Sequence, residues 1–265
     1  MCDRQLRFSA LVVFVVLHAG FAQNVAPSGQ PEVGRELRIA AAADLQPLLP
    51  SLLHQFEQQT GIHADASYQA SATLATQIID GAPFDLFLAA DLSFPQRVID
   101  AGRAEQAAPL PYARGTLVLW TRNDSGMAGL SLDALRSAAV KSIAIANPDH
   151  APYGRAARAA LQHVGLFNAL QPKLVIAENI AQAAQYADLG NAQAGFISLA
   201  SALTPRLSAD GHFVQVPDED YPPILQGAIV IRGSPGSGAA HRFLEFLQRP
   251  EIQQTLAAEG LKPIH

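Results

Sequence analysis

Short apolar runs of strand length recur along the chain, and nearly every one is followed by residues whose apolar positions repeat at helical spacing. ELRIAAAA (36–43) leads into a helical pattern through Gln59, IHADASY (62–68) into one from Thr73 to Asp80, and DLFLAA (85–90) into FPQRVIDAG. TLVLWT (116–121), SIAIA (142–146), KLVIA (173–177) and AGFIS (194–198) come next, and GAIVI (227–231) precedes one last amphipathic helix expected over Gly238 to Glu259. Parallel neighbours need a long crossover, and a helix between strands supplies that length. The pattern therefore predicts an α/β fold with mostly parallel sheets. No internal repeat or low-complexity run interrupts it.

The first residues carry a different signal. Arg4 and Arg7 precede the apolar run Phe8 to His18, and Gly20-Phe21-Ala22 places small residues where a signal peptidase cuts. Residues 1–22 are expected to be a secretory signal peptide, the run being too short for a membrane span. Cys2, the single cysteine, lies ahead of that run and leaves with the peptide, so the mature chain has no disulfide. Of the formal charge of −5 over 265 residues, Arg4, Arg7 and Asp3 contribute a net +1, which leaves the mature chain near −6. That sign argues against nucleic acid or an anionic membrane as partner.

In open α/β sheets ligands collect beyond the carboxyl ends of the strands, where loops meet helix starts. Four such junctions carry candidate groups: Ala43-Asp44-Leu45, Ala70-Ser71-Ala72, Pro152-Tyr153-Gly154 and Glu178-Asn179-Ile180. The third stands at the mouth of a helix expected from near Arg155. None contains Lys or Arg, so an anion there would be held by backbone N–H groups and hydroxyls at helix starts. Ser71 has two compatible readings, as a cap for the following helix and as a donor. Other chemistry is sparse. There is no G-x-S-x-G, and the histidines are scattered without metal-ligand spacing; only His150, in the third junction's loop, invites notice. IRGSPGSGAA (231–240) lacks the lysine of a phosphate loop and reads as a flexible connection, and DED (218–220) as a solvated turn. Asp91 follows a strand end and reads as a helix cap; as an acid or base, with Asp44, it would belong to a secreted hydrolase, the reading from a different class.

AAAADL, SYQASATLATQIIDGAPFDLFLAAD, NPDHAPYG, ENIAQA and GNAQAGFIS, in this order, resemble the periplasmic molybdate-binding proteins of ABC transporters. The resemblance implies a two-lobed periplasmic binding protein fold of type II with a hinge of two crossover strands. Residues 36–115 and 226–265 would form one lobe and 116–225 the other. It implies a periplasmic monomer, not an enzyme and without a cofactor, that carries molybdate or tungstate to a membrane permease; the metal enters only as the centre of the oxyanion. Sulfate or phosphate is the alternative ligand. Carried over by position, the oxyanion contacts fall on Ala43 and Asp44, on Ser71 and Ala72, on Tyr153 and on Ile180. Ser198 stands where one branch has a contacting tyrosine. Asp44 stands where the family tends to have serine or asparagine, and an ionised carboxylate beside a dianion needs relief. Either it turns back to cap its own turn through the Gln46 amide, the reading adopted here, or it takes a proton and donates it.

Overall fold

Eleven strands and ten helices are formed by residues 36–127 and 129–264, which the computed structural model describes. The expected signal peptide lies outside the described residues. The elements are β1 (Leu37–Ala42), α1 (Leu49–Thr60), β2 (Ala64–Gln69), α2 (Ser71–Ile79), β3 (Leu86–Ala89), α3 (Ser93–Asp100), β4 (Leu110–Gly115), β5 (Leu117–Arg122), β6 (Ile143–Ala146), α4 (Pro152–His163) and α5 (Phe167–Leu170). They continue with β7 (Leu174–Ala177), α6 (Ile180–Asp188), β8 (Ala194–Ser198), α7 (Leu199–Ala202), α8 (Pro205–Asp210), β9 (Gly211–Gln215), β10 (Ile224–Val230), α9 (Ser237–Leu247), α10 (Pro250–Ala258) and β11 (Leu261–Lys262).

The strands form two sheets, in the orders β11-β4-β10-β3-β1-β2 and β7-β6-β8-β5-β9. The chain leaves the first sheet after Gly115, enters the second at Leu117, and returns between Gln215 and Ile224. Both sheets are mixed, which corrects the expectation of mostly parallel pairing. Among the described residues β1–β2, β1–β3, β6–β7 and β6–β8 are parallel, and the five other pairs are antiparallel. The reason lies in how strands arrive. β5 and β10 arrive straight from the other sheet, without the helical crossover that a parallel partner requires, and each pairs antiparallel with both its neighbours.

Helices cover both faces of the first sheet. On one, Phe56 of α1 meets Phe243 and Phe246 of α9 edge-on at 5.1 and 5.5 Å between centroids, all three buried. Each such ring stabilises the fold by roughly 1.5–3 kcal/mol on burial. The single last helix expected over 238–259 is two, α9 and α10. Pro250 has no N–H for the preceding turn and starts the second helix at its first position. Residues 231–240, expected to be flexible, are held: Asp85 accepts the Gly236 N–H at 3.0 Å and the Arg38 N–H at 2.9 Å. Nor is 218–220 merely solvated. Asp218 lies 3.3 Å from both Arg114 and Lys262, and so fastens the returning segment to β4 and β11. Among the described residues no helix is long and apolar enough to cross a membrane.

Candidate functional site

At the carboxyl ends of the parallel strands the four junctions meet. β1 runs into a single 3-10 turn, Ala43–Leu45, while β2, β6 and β7 lead to the starts of α2, α4 and α6. Ala43, Asp44, Ser71, Tyr153 and Ile180 line one cavity of about 10 Å³, open to the centre of a water-sized sphere, and Ala42, Gln69, Ala70, Ala90, Ala151, Pro152 and Asn179 complete its wall. That is about the room of one water molecule, so an extended molecule does not fit. Ala72 is the exception among the expected positions. It is absent from the wall, and its N–H is committed to the His150 carbonyl at 3.2 Å, a bond that runs from the first sheet's side of the cleft to the second's.

Each junction is shaped by its residue types. Helix α4 starts at Pro152, not near Arg155, with Ala151 extended before it. Proline fits the first position because it has no N–H to leave unpaired, so the first free amides are those of Tyr153 and Gly154. Gly154 is required by close approach: a Cβ there would lie 2.3 Å from the Ala146 carbonyl oxygen at the end of β6. The buried Tyr153 ring reaches the opposite side, where a Cβ on Gly115 of β4 would lie 2.2 Å from its hydroxyl. Asn179 accepts the Gln182 N–H at 3.0 Å and caps α6, which leaves the first-turn amide of Ile180 toward the cavity. Ser71 is the first residue of α2 and does not cap it. Its oxygen accepts the Ala90 N–H at 3.1 Å, so its own hydrogen remains available.

The electrostatics are unusual for an anion site. No Lys, Arg or His lines the cavity, and Asp44 is fully buried in its wall. Burial pushes the Asp44 carboxyl up to about 6, against the opposing influence of the Tyr153 hydroxyl, its own amide and Gln226. Gln226 of β10 donates to Oδ2, whereas Oδ1 has no hydrogen-bond partner. The Tyr153 hydroxyl is also without an aligned partner: it stands near enough to favour the carboxylate's charge, but not in hydrogen-bond geometry. The same burial, with the Asp44 charge, raises both Tyr153 and Tyr112 well above the usual tyrosine range. The expected self-capping of Asp44 is thus overturned. The 3-10 turn has no side-chain cap, and the Gln46 N–H goes to the Ala43 carbonyl at 3.3 Å. A buried glutamine amide on β10 needs an acceptor, and Oδ2 of Asp44 supplies it.

Asp91 does not face the cavity. It accepts from the Phe94 N–H at 3.1 Å and the Ser93 hydroxyl at 2.7 Å at the start of α3, and it pairs with Arg155 of α4, whose guanidinium lies over the Phe94 ring at 5.2 Å. A carboxylate so occupied is a tie across the rim of the cleft rather than an acid or base. Ser198 is buried as the cap of α7, accepting the Ser201 N–H at 3.2 Å, and does not reach the cavity. Sequence reasoning missed Gln226 and Gly115. The available signal for Gln226 was a lone amide inside the apolar strand ILQGAIV.

The proteins to which this chain is similar agree with one another. The molybdate-binding protein ModA of Rhodobacter capsulatus is 33% identical over 234 residues, covering 87% of this chain and 89% of that protein. ModA of Azotobacter vinelandii is 32% identical over 255 residues, 96% of this chain and 98% of the other. The solved structure of the Azotobacter vinelandii periplasmic molybdate-binding protein superposes with a TM-score of 0.81 at 30% identity, over 86% of this chain and all (100%) of that one. A match over residues 37–262, which takes in both sheets and all four junctions, places the chain in the bacterial extracellular solute-binding protein family.

Proposed function

We propose that this chain binds molybdate, and tungstate by the same chemistry, between its two lobes and delivers it to the permease of an ABC transporter. It acts in the periplasm, as a monomer and without a cofactor. The observation that carries this reading is the cavity: a small space walled by helix-start amides and the Ser71 hydroxyl, where loops of both sheets meet. A tetrahedral oxyanion offers only acceptor oxygens and requires donors on all sides. Ala43 and Asp44 with Ser71 would hold it from the lobe of residues 36–115 and 226–265; Tyr153 and Ile180 would hold it from the lobe of 116–225. The names of the relatives, molybdate-binding over nearly their full lengths, support the choice of ion. A lining whose one charged group is a single carboxylate supports a metal that enters only as the centre of the oxyanion.

A thermal-shift panel tests the reading. Molybdate and tungstate at a hundred times their dissociation constants should stabilise the protein by about 2.7 kcal/mol, because only the folded state binds them. Equal stabilisation by sulfate or phosphate at the same concentration would overturn the ion assignment.

A further inference from the structure

We infer that Asp44 takes up one proton when the oxyanion binds and donates it to an anion oxygen, so that the site selects oxyanions basic enough to share a proton with a carboxylate. This rests on the ligand reading above and adds to it a second occupant, the proton, and a basis for selectivity other than size.

The geometry leaves the carboxylate few alternatives. Asp44 lines the cavity and is fully buried, Gln226 satisfies Oδ2, and Oδ1 is a buried oxygen without a hydrogen-bond partner. An ionised Asp44 in the wall beside an anion puts two acceptors in one site with no cation between them. A proton on Oδ1 converts the clash into an O–H donating to the ligand, and removes one of the two charges. No cation substitutes for it. From the packed elements, the titratable groups that bear on the carboxyl are Tyr153 of α4 and Tyr112 of β4, with Tyr221 beside Tyr153. Helix α7 has no titratable residue; α6 carries Tyr186 and Asp188, the latter paired with Arg206, and β2 carries Asp65 and Tyr68, and none of these perturbs Asp44. Burial already raises the free protein's Asp44 to about 6, and an adjacent anion raises it further.

The step balances simply. One solvent proton bonds to Oδ1, the carboxylate becomes a carboxylic acid, and no other bond changes. Because the shared proton is held better by a stronger base, molybdate and tungstate gain more from it than sulfate, the conjugate base of a much stronger acid. Size and acidity then act in the same direction.

Calorimetric titration of the purified protein with molybdate at pH 8, in buffers of different ionisation enthalpy, counts the protons taken up. The expected count is about one per ion, and the dissociation constant should rise about tenfold per pH unit between pH 7 and 8.5. Asp44→Asn, whatever its affinity, should take up none and should lose at least tenfold of its preference for molybdate over sulfate. Tyr153→Phe should keep the count of one, since its hydroxyl is not the proton's seat. Tight molybdate binding to the wild-type protein with no proton uptake would overturn this inference and leave the ligand reading intact. Absence of molybdate binding at every pH would remove both.

Discussion

Two aspartates are wholly buried in the half of the molecule built on the first sheet, and they are treated in opposite ways. Asp85 sits where β3 begins and receives the Arg38 and Gly236 amides at 2.9 and 3.0 Å, with the Arg38 guanidinium at 3.5 Å. Asp44, on the next strand's exit, receives one side-chain donor and keeps a bare oxygen. A buried charge is stable when its lone pairs are filled, and Asp85 is such a structural group. At Asp44 the donors are withheld, and the folded protein bears the cost. The contrast marks out a functional carboxylate among buried ones: an unfilled acceptor, next to a cavity, in a position where neighbouring loops supply donors to everything else.

Three substitutions sharpen or break this contrast. The largest effect is expected for Asp85→Ala, which strands two buried amides and the Arg38 charge; stability in urea should fall by about 3 kcal/mol or more. Loss of less than about 1 kcal/mol would make Asp85 as dispensable as a surface ion pair. Asp44→Asn should have the opposite sign. Burial lifts the folded-state pKa of Asp44 from 3.8 to about 6, so protonation favours the fold. The contribution is full below about pH 4 and is lost as pH rises through about 6, leaving a penalty on the order of 3 kcal/mol at pH 8. The asparagine protein should therefore be more stable than wild type at pH 8 and no more stable at pH 4, measured without ligand. A variant that is less stable at both pH values would place Asp44 with Asp85. The smallest effect is expected for Tyr153→Phe. It removes an orphan hydroxyl and costs no aligned bond, so unfolding free energy should change by less than about 1 kcal/mol, upward if at all. A loss of several kcal/mol would mean that the hydroxyl is bonded after all.

Much of the site could be read in the sequence, because its parts are local. Pro152, Tyr153 and Gly154 announce a helix mouth by residue type alone, and all four junctions named from the strand–helix alternation line or border one cavity. What could not be read is what arrives from far along the chain. Gln226 lies 182 residues from Asp44, and no local pattern links an amide in one strand to a carboxylate after another. The same blindness affected the sheets. β4 reads LPYARG and β9 reads GHFVQ, sequences with a proline, an arginine and exposed positions that mask their period, and these are strands at or next to the crossings. Pro250, by contrast, was a local signal of a break that the expectation of one last helix passed over.

The contact between Tyr153 and Gly115 has a consequence for how this protein can vary. A hydroxyl 2.2 Å from where a Cβ would stand makes the two positions one size constraint written in two places, 38 residues apart in sequence. Drift at position 115 is closed while the ring is present; a smaller residue at 153 leaves only the Ile224 side chain, 3.1 Å from that Cβ, to give way. Among relatives, bulk at one position and emptiness at the other would have to be inherited together.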